Sequence, residues 1–90
     1  MNRNAAMLLA PLHPEVGSVL ATLADGPDTG LKLNDLSSST GLPTGHIGRH
    51  LRTLERDRLA RYATGSWHTT LRGRQWVTAR RLEAPNPIAA

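Results

Sequence analysis

Arginine is where this sequence concentrates its chemistry. Nine arginines stand between positions 46 and 81, against only Glu55 and Asp57, so that segment carries a net charge of +7. Residues 1–45 carry Arg3 and Lys32 against Glu15, Asp25, Asp28 and Asp35, a net of −2, and the 90-residue chain as a whole is at +4. A guanidinium is a planar fork of donors, matched to phosphate oxygens and to the edge of guanine. A basic segment joined to a mildly acidic one is a sided electrostatic footprint, and its natural partner is a polyanion. The plainer readings are a solvated surface, arginine usage inherited from a GC-rich genome, or surface ion pairs with Glu55 and Asp57. Such pairs contribute at most about 1 kcal/mol each.

The other reactive residue types form weaker patterns. His46 and His50 are one helical turn apart, a spacing that can bind zinc. No glutamate follows the first of them, as the metalloprotease signature needs, and no cysteine or neighbouring carboxylate in the sequence completes a ligand set. The expectation is no metal, with His46 at a binding surface and His50 at its edge. The run Ser37-Ser38-Ser39-Thr40 has no base beside it and no glycine elbow, so it reads as the exposed side of a helix. There is no phosphate-cradling glycine loop and no pair of carboxylates. The chain has no cysteine, which removes disulfides and thiol nucleophiles and fits a reducing cytosol. No catalytic site and no cofactor are expected.

These side chains need elements to position them. The first helix spans about His13–Asp25: Pro14 suits its first turn, Val16, Val19, Leu20 and Leu23 make one apolar stripe, and Asp25-Gly26-Pro27 stops it. Leu31-Lys32-Leu33 alternates like a very short strand. Asn34 is an N-cap for a short helix, Asp35–Thr40, which Gly41 ends. Leu42-Pro43-Thr44 links tightly into a helix at Pro43–Asp57. There Ile47, Leu51 and Leu54 fall within a narrow arc, with Gly45, Arg49, Arg52 and Arg56 opposite, His46 and Thr53 flanking them and His50 at the boundary. Leu59–Ala63 and Trp67–Thr69 read as a hairpin around Thr64-Gly65-Ser66. A last helix covers about Leu71–Glu83, and Pro85 and Pro87 end it. The organisation is an apolar arm or short helix at 1–12, a domain at 13–83 and a tail at 84–90.

A short helix and a tight turn before a longer basic helix is the helix-turn-helix order, whose second helix enters the DNA major groove. Leu36, Leu42, Ile47, Leu51 and Leu54 would lock the pair. The stretch Leu33–Leu59, LNDLSSSTGLPTGHIGRHLRTLERDRL, resembles the core of bacterial winged-helix regulators of the MarR, ArsR and IclR type. The run Thr69-Thr70-Leu71-Arg72-Gly73-Arg74-Gln75-Trp76-Val77 is similar to the threonine–x–x–glycine–arginine passage by which many of them leave the wing. The resemblance covers about residues 14–80. It implies a mainly α fold with a small β-hairpin: a winged helix-turn-helix with a three-helix core, a wing and a C-terminal helix. It implies that Thr44, His46, Arg49 and Thr53 face the major groove and that the hairpin around Thr64–His68 is the wing. The wing tip lacks Arg and Lys, which leaves Ser66 and His68 to meet phosphates. Gly45 and Gly48 depart from good helix formers, and Arg58 stands where these families often place a helix-ending glycine.

Arg49 is the candidate for a bidentate guanine contact, Thr44, Gly45 and His46 lie in the first turn, and Arg52, Arg56 and Arg61 would neutralise phosphates. Double-stranded DNA is the expected partner, with a sequence-specific transcription regulator, a repressor occupying its operator, as the leading function. Competing readings are an architectural or accessory DNA factor, such as a phage excisionase or a plasmid partition or replication protein, and a winged helix used for protein contact. Trp67 and Trp76 read as core closure. Trp76 and Val77 do not share an arc with Leu71 and Leu82. With the apolar run Ala5–Leu12, this two-sided last helix suggests a homodimer that offers two reading helices to a pseudo-palindrome. Ala5–Leu12 is too short to span a membrane, and the expected location is the cytoplasm, on the nucleoid.

Overall fold

The computed structural model describes residues 13–83, so the expected arm at 1–12 and tail at 84–90 lie outside it. Four helices and one hairpin follow in order: α1 (Pro14–Asp25), α2 (Leu33–Thr40), α3 (Thr44–Arg56), β1 (Ala60–Ala63), β2 (Ser66–Thr69) and α4 (Leu71–Glu83). This is the mainly helical winged helix-turn-helix that the sequence implies. No described helix is long and apolar enough to cross a membrane.

Helix α1 begins with Pro14 at its first position, and the His13 Nδ1 accepts a hydrogen bond from the Glu15 N–H (3.2 Å). Its stripe of Val16, Val19, Leu20 and Leu23 is buried. The expected strand over 31–33 shrinks to one residue: Leu31 exchanges both backbone hydrogen bonds with Trp67 on the free edge of β2. Leu33 already belongs to α2. The cap falls at Lys32 rather than Asn34, because the Asp35 carboxylate reaches back to accept from the Lys32 N–H (3.0 Å). That bond satisfies a donor at the helix start and moves the boundary two residues earlier.

The turn between α2 and α3 is tied from both sides. Gly41 takes the left-handed conformation (φ +78°), and its N–H donates to the Ser37 carbonyl (2.8 Å). The Ser37 hydroxyl donates to the Leu42 carbonyl (2.6 Å), and the Leu42 N–H donates to the Thr40 hydroxyl (3.2 Å). The serine–threonine run thus fixes the angle at which α3 leaves.

Helix α3 ends in a Schellman motif. The Leu59 N–H donates to the Leu54 carbonyl and the Arg58 N–H to the Glu55 carbonyl, with Leu54 and Leu59 both buried beneath. Arg58 holds the left-handed conformation (φ +61°). The join therefore keeps the geometry of a helix-ending glycine while carrying an arginine, at a cost of roughly 1 kcal/mol.

The hairpin pairs Ala60 with Thr69, Arg61 with His68, Tyr62 with Trp67 and Ala63 with Ser66. Its turn has two residues, Thr64 and Gly65, both at positive φ (+52° and +81°), the twist that matches flanking strands. Ser66, expected in the turn, is instead the first residue of β2. Beyond the hairpin the threonine–x–x–glycine passage acquires a physical meaning. The Thr70 hydroxyl donates to the Arg58 carbonyl (2.6 Å) and accepts from the Gly73 N–H (3.0 Å), capping α4. A Cβ on Gly73 would overlap the Leu59 carbonyl oxygen, so glycine lets α4 lie against the chain entering β1.

One core results. Leu20, Leu36, Ile47, Leu51, Leu54 and Val19 are its fully buried side chains, and Trp76 and Val77 of α4 close it. Leu42 and Trp67 pack on its edge, half-buried. The aromatic roles expected from the sequence are thus filled, with Trp67 also lying edge-on to Tyr62 at 5.2 Å between centroids.

Candidate nucleic-acid interface

Helix α3 is pinned by one side. Ile47, Leu51 and Leu54 have no exposed surface. On the opposite side Gly45, Arg49, Arg52 and Arg56 are exposed, and Thr44 is exposed in the first turn. Among the described residues, no carboxylate pairs with Arg49, Arg52 or Arg56. Glu55 and Asp57 stand close in sequence, yet neither forms the surface ion pair that the plainer reading required. A Cβ on Gly45 or Gly48 would meet nothing within 4 Å. No packing within the domain demands glycine there, and the surface between the arginines is low and open.

The flank of α3 nearest α1 behaves differently. Thr53 is half-buried, and its hydroxyl donates to the Arg49 carbonyl (3.2 Å), so it is engaged with the helix backbone. His46 stays part-exposed, its Nδ1 3.5 Å from Glu15 Oε1. His50, expected at the edge of the binding surface, is drawn inward: its Nε2 lies 2.8 Å from Glu15 Oε1, and its ring stacks on His13 at 6.0 Å. The hydrogen bond from His50 holds the Glu15 carboxyl below its ordinary pKa, outweighing desolvation and helped by the positive charge available on His46, His50 and His13. The sequence reading found no carboxylate near the two histidines because Glu15 is 35 residues from His50; packing of α1 on α3 brings it there. Among the described residues, no three histidine, cysteine or acidic side chains are grouped to hold a metal ion.

The hairpin also divides the expected residues. Arg61 is exposed on β1. Ser66 is buried, because the two-residue turn pulls it into the ladder opposite Ala63 and under the 27–31 loop. His68 is half-buried, with its Nε2 3.2 Å from the Ala63 carbonyl. Ser66 therefore has little surface for the phosphate contact expected of it, and His68 has one ring nitrogen engaged with the hairpin's own backbone. Tyr62, which the sequence reading passed over, is 57% exposed beside Arg61. Its signal was available: strand alternation places it on the face of Trp67, which supports it from behind. The outward set is then Thr44, Gly45, Arg49, Arg52, Arg56, Arg61 and Tyr62, with His46 at the margin.

The family model for the IclR helix-turn-helix domain matches residues 16–63, more than half of the chain. The chain belongs to the IclR helix-turn-helix family. The match runs from α1 to the end of β1, so it includes the tied turn and the whole of α3. Among solved structures, this IclR-type domain is similar to the M. tuberculosis transcriptional regulator MOSR in complex with DNA, with a TM-score of 0.73 and 23% sequence identity. The alignment covers 89% of this chain and 66% of that one. At that identity the likeness establishes the fold. No curated protein matches the chain at a significant level.

Proposed function

We propose that this IclR-type domain binds double-stranded DNA in a sequence-specific way and acts as a transcription regulator, with α3 in the major groove. The observation that carries the reading is the outward face of α3: Arg49, Arg52 and Arg56 exposed and without carboxylate partners, on a helix held rigidly by Ile47, Leu51 and Leu54. Arg49 lies nearest the middle of that face, where a bidentate contact to guanine is worth about 1–3 kcal/mol of discrimination. Thr44 and His46 in the first turn lie where a helix start meets phosphate or base edges. Arg52, Arg56 and Arg61 neutralise the backbone on either side. Repression follows by occupancy of an operator. A homodimer built through the terminal segments would present two copies of α3 to a palindrome; Leu71 on α4, 74% exposed, is an apolar contact available to it.

Selection of bound duplexes from a random pool, followed by salt titration on the winner, tests this reading. The expected outcome is one enriched motif, present twice with dyad symmetry, and an affinity that falls steeply with salt. A pool without enrichment, bound only at low salt, would transfer the protein to an architectural role. No binding even at low salt would leave a protein-contact module.

A further inference from the structure

A second cluster of donors sits where the hairpin, the loop after α1 and the start of α4 meet. They line a cleft of about 110 Å³. No residue of α3 lines it. Arg61 of β1, His68 and Thr69 of β2, Arg74 of α4 and Asp28 of the loop do.

The charges do not cancel. Arg74 Nη2 is 3.5 Å from Asp28 Oδ1, at the limit of any hydrogen bond, and the Asp28 side chain is 98% exposed, free to swing aside. Arg61 has no ion-pair partner among the described residues. The Thr69 hydroxyl is buried and makes no hydrogen bond, the only such side-chain atom among the described residues. That hydroxyl has no accessible surface, and strand alternation sets the Thr69 side chain on the sheet face opposite Arg61 and His68, so the cations that face the cleft are Arg61 and Arg74. The passage that places Arg74 there is otherwise explained: Thr70 caps α4 and Gly73 clears Leu59.

We propose that this cleft binds an oxyanion of phosphate size, held between the Arg61 and Arg74 guanidiniums. The walls come from three segments, so an occupant clamps the hairpin to the body of the domain. The phosphate group has two possible sources, a free phosphate-bearing solute or the DNA backbone beside Arg61.

The test is an NMR titration of the 90-residue chain with sodium phosphate against chloride at fixed ionic strength, following backbone amides and arginine Nε–H signals. Saturable shifts confined to Arg61, Thr69 and Arg74 are expected. The pair Arg61→Gln and Arg74→Gln weakens binding by about tenfold or more, the scale of two lost charge-assisted hydrogen bonds, while Arg72→Gln leaves it unchanged. Repeating the titration with a bound duplex assigns the source: cleft signals that still respond to phosphate identify a solute site, and signals already shifted by duplex and silent to phosphate identify the backbone. Shifts that never saturate, or that spread evenly over all arginines, overturn the proposal, as does unchanged affinity in the double-glutamine variant. The first arm contains no DNA, so it stands or falls apart from the operator reading.

Discussion

Helices α3 and α4 are each 13 residues long, each rich in arginine, and each interrupted by glycine. They use these residues in opposite ways. On α4, Arg81 binds Asp25 at 2.7 Å, Arg74 approaches Asp28 and the Arg80 guanidinium lies over the Trp76 ring at 5.6 Å. On α3, Arg49, Arg52 and Arg56 have no carboxylate partner among the described residues. Gly73 of α4 is pressed against the Leu59 carbonyl, while Gly45 and Gly48 of α3 face open space. The acidic end of α1 supplies partners to α4 and none to the outer side of α3. Net charge in the sequence therefore overstates the charge available for binding, and only packing shows which arginines are free.

The sharpest break of this comparison is Gly73→Ala. The added Cβ meets backbone at Leu59, which is anchored by the Thr70 N–H (3.1 Å) and by the end of α3. Backbone so held cannot yield cheaply, and overpacking of this kind costs about 3 kcal/mol. Urea unfolding should show the midpoint drop accordingly; a variant as stable as the parent would mean that α4 does not lie as described.

Next in size is Arg49→Ala set beside Arg81→Ala. On the operator reading, Arg49→Ala relaxes preference at one base position per half-site and lowers affinity by about 1–3 kcal/mol. Arg81→Ala leaves DNA affinity within twofold and removes at most about 1 kcal/mol of stability, because its ion pair is exposed. Equal effects of the two on DNA binding, measured by fluorescence anisotropy, would erase the distinction between the helices.

How much of this was legible in advance depends on the range of the interaction. The elements and the inner stripe of α3 were readable because a helical period is local. The free face of α3 was readable as a direction, since Ile47, Leu51 and Leu54 fix its opposite. What escaped was set by distance or by backbone sign. The His50–Glu15 contact spans 35 positions. Ser66 moved inward because Thr64, not a third loop residue, accepts positive φ. Lys32 displaced Asn34 as cap because a carboxylate three residues on could reach back. The pairing of α4 with Asp25 and Asp28 joins the two halves of opposite charge, and no local pattern announces it.

A smaller effect separates the glycines. Gly45→Ala and Gly48→Ala each stabilise the domain by about 0.5–1 kcal/mol, since alanine is the better helix former and its methyl meets nothing. On the operator reading the same changes weaken DNA binding, because the low surface between the arginines is where bases approach. Gain of stability with loss of affinity, seen in thermal melts and binding isotherms of the same variants, is the expected signature. Gain of both would leave these glycines without a role at the interface.

The smallest effect lies on the inner flank of α3. Glu15 titrates below its usual range in the fold, chiefly through its hydrogen bond with His50. A carboxyl whose folded pKa is depressed adds stability above its unfolded pKa, about 4.3 for glutamate, and loses it as pH falls through the folded value. Glu15→Gln should therefore flatten the acid limb of stability against pH while leaving the Arg49 face, and DNA affinity near neutrality, almost untouched. Because Glu15 reaches α3 only through His46 and His50, a large loss of DNA binding in this variant would show that the latch to α1 sets the angle of the reading helix. The division between α3's engaged flank and its free face would then fail.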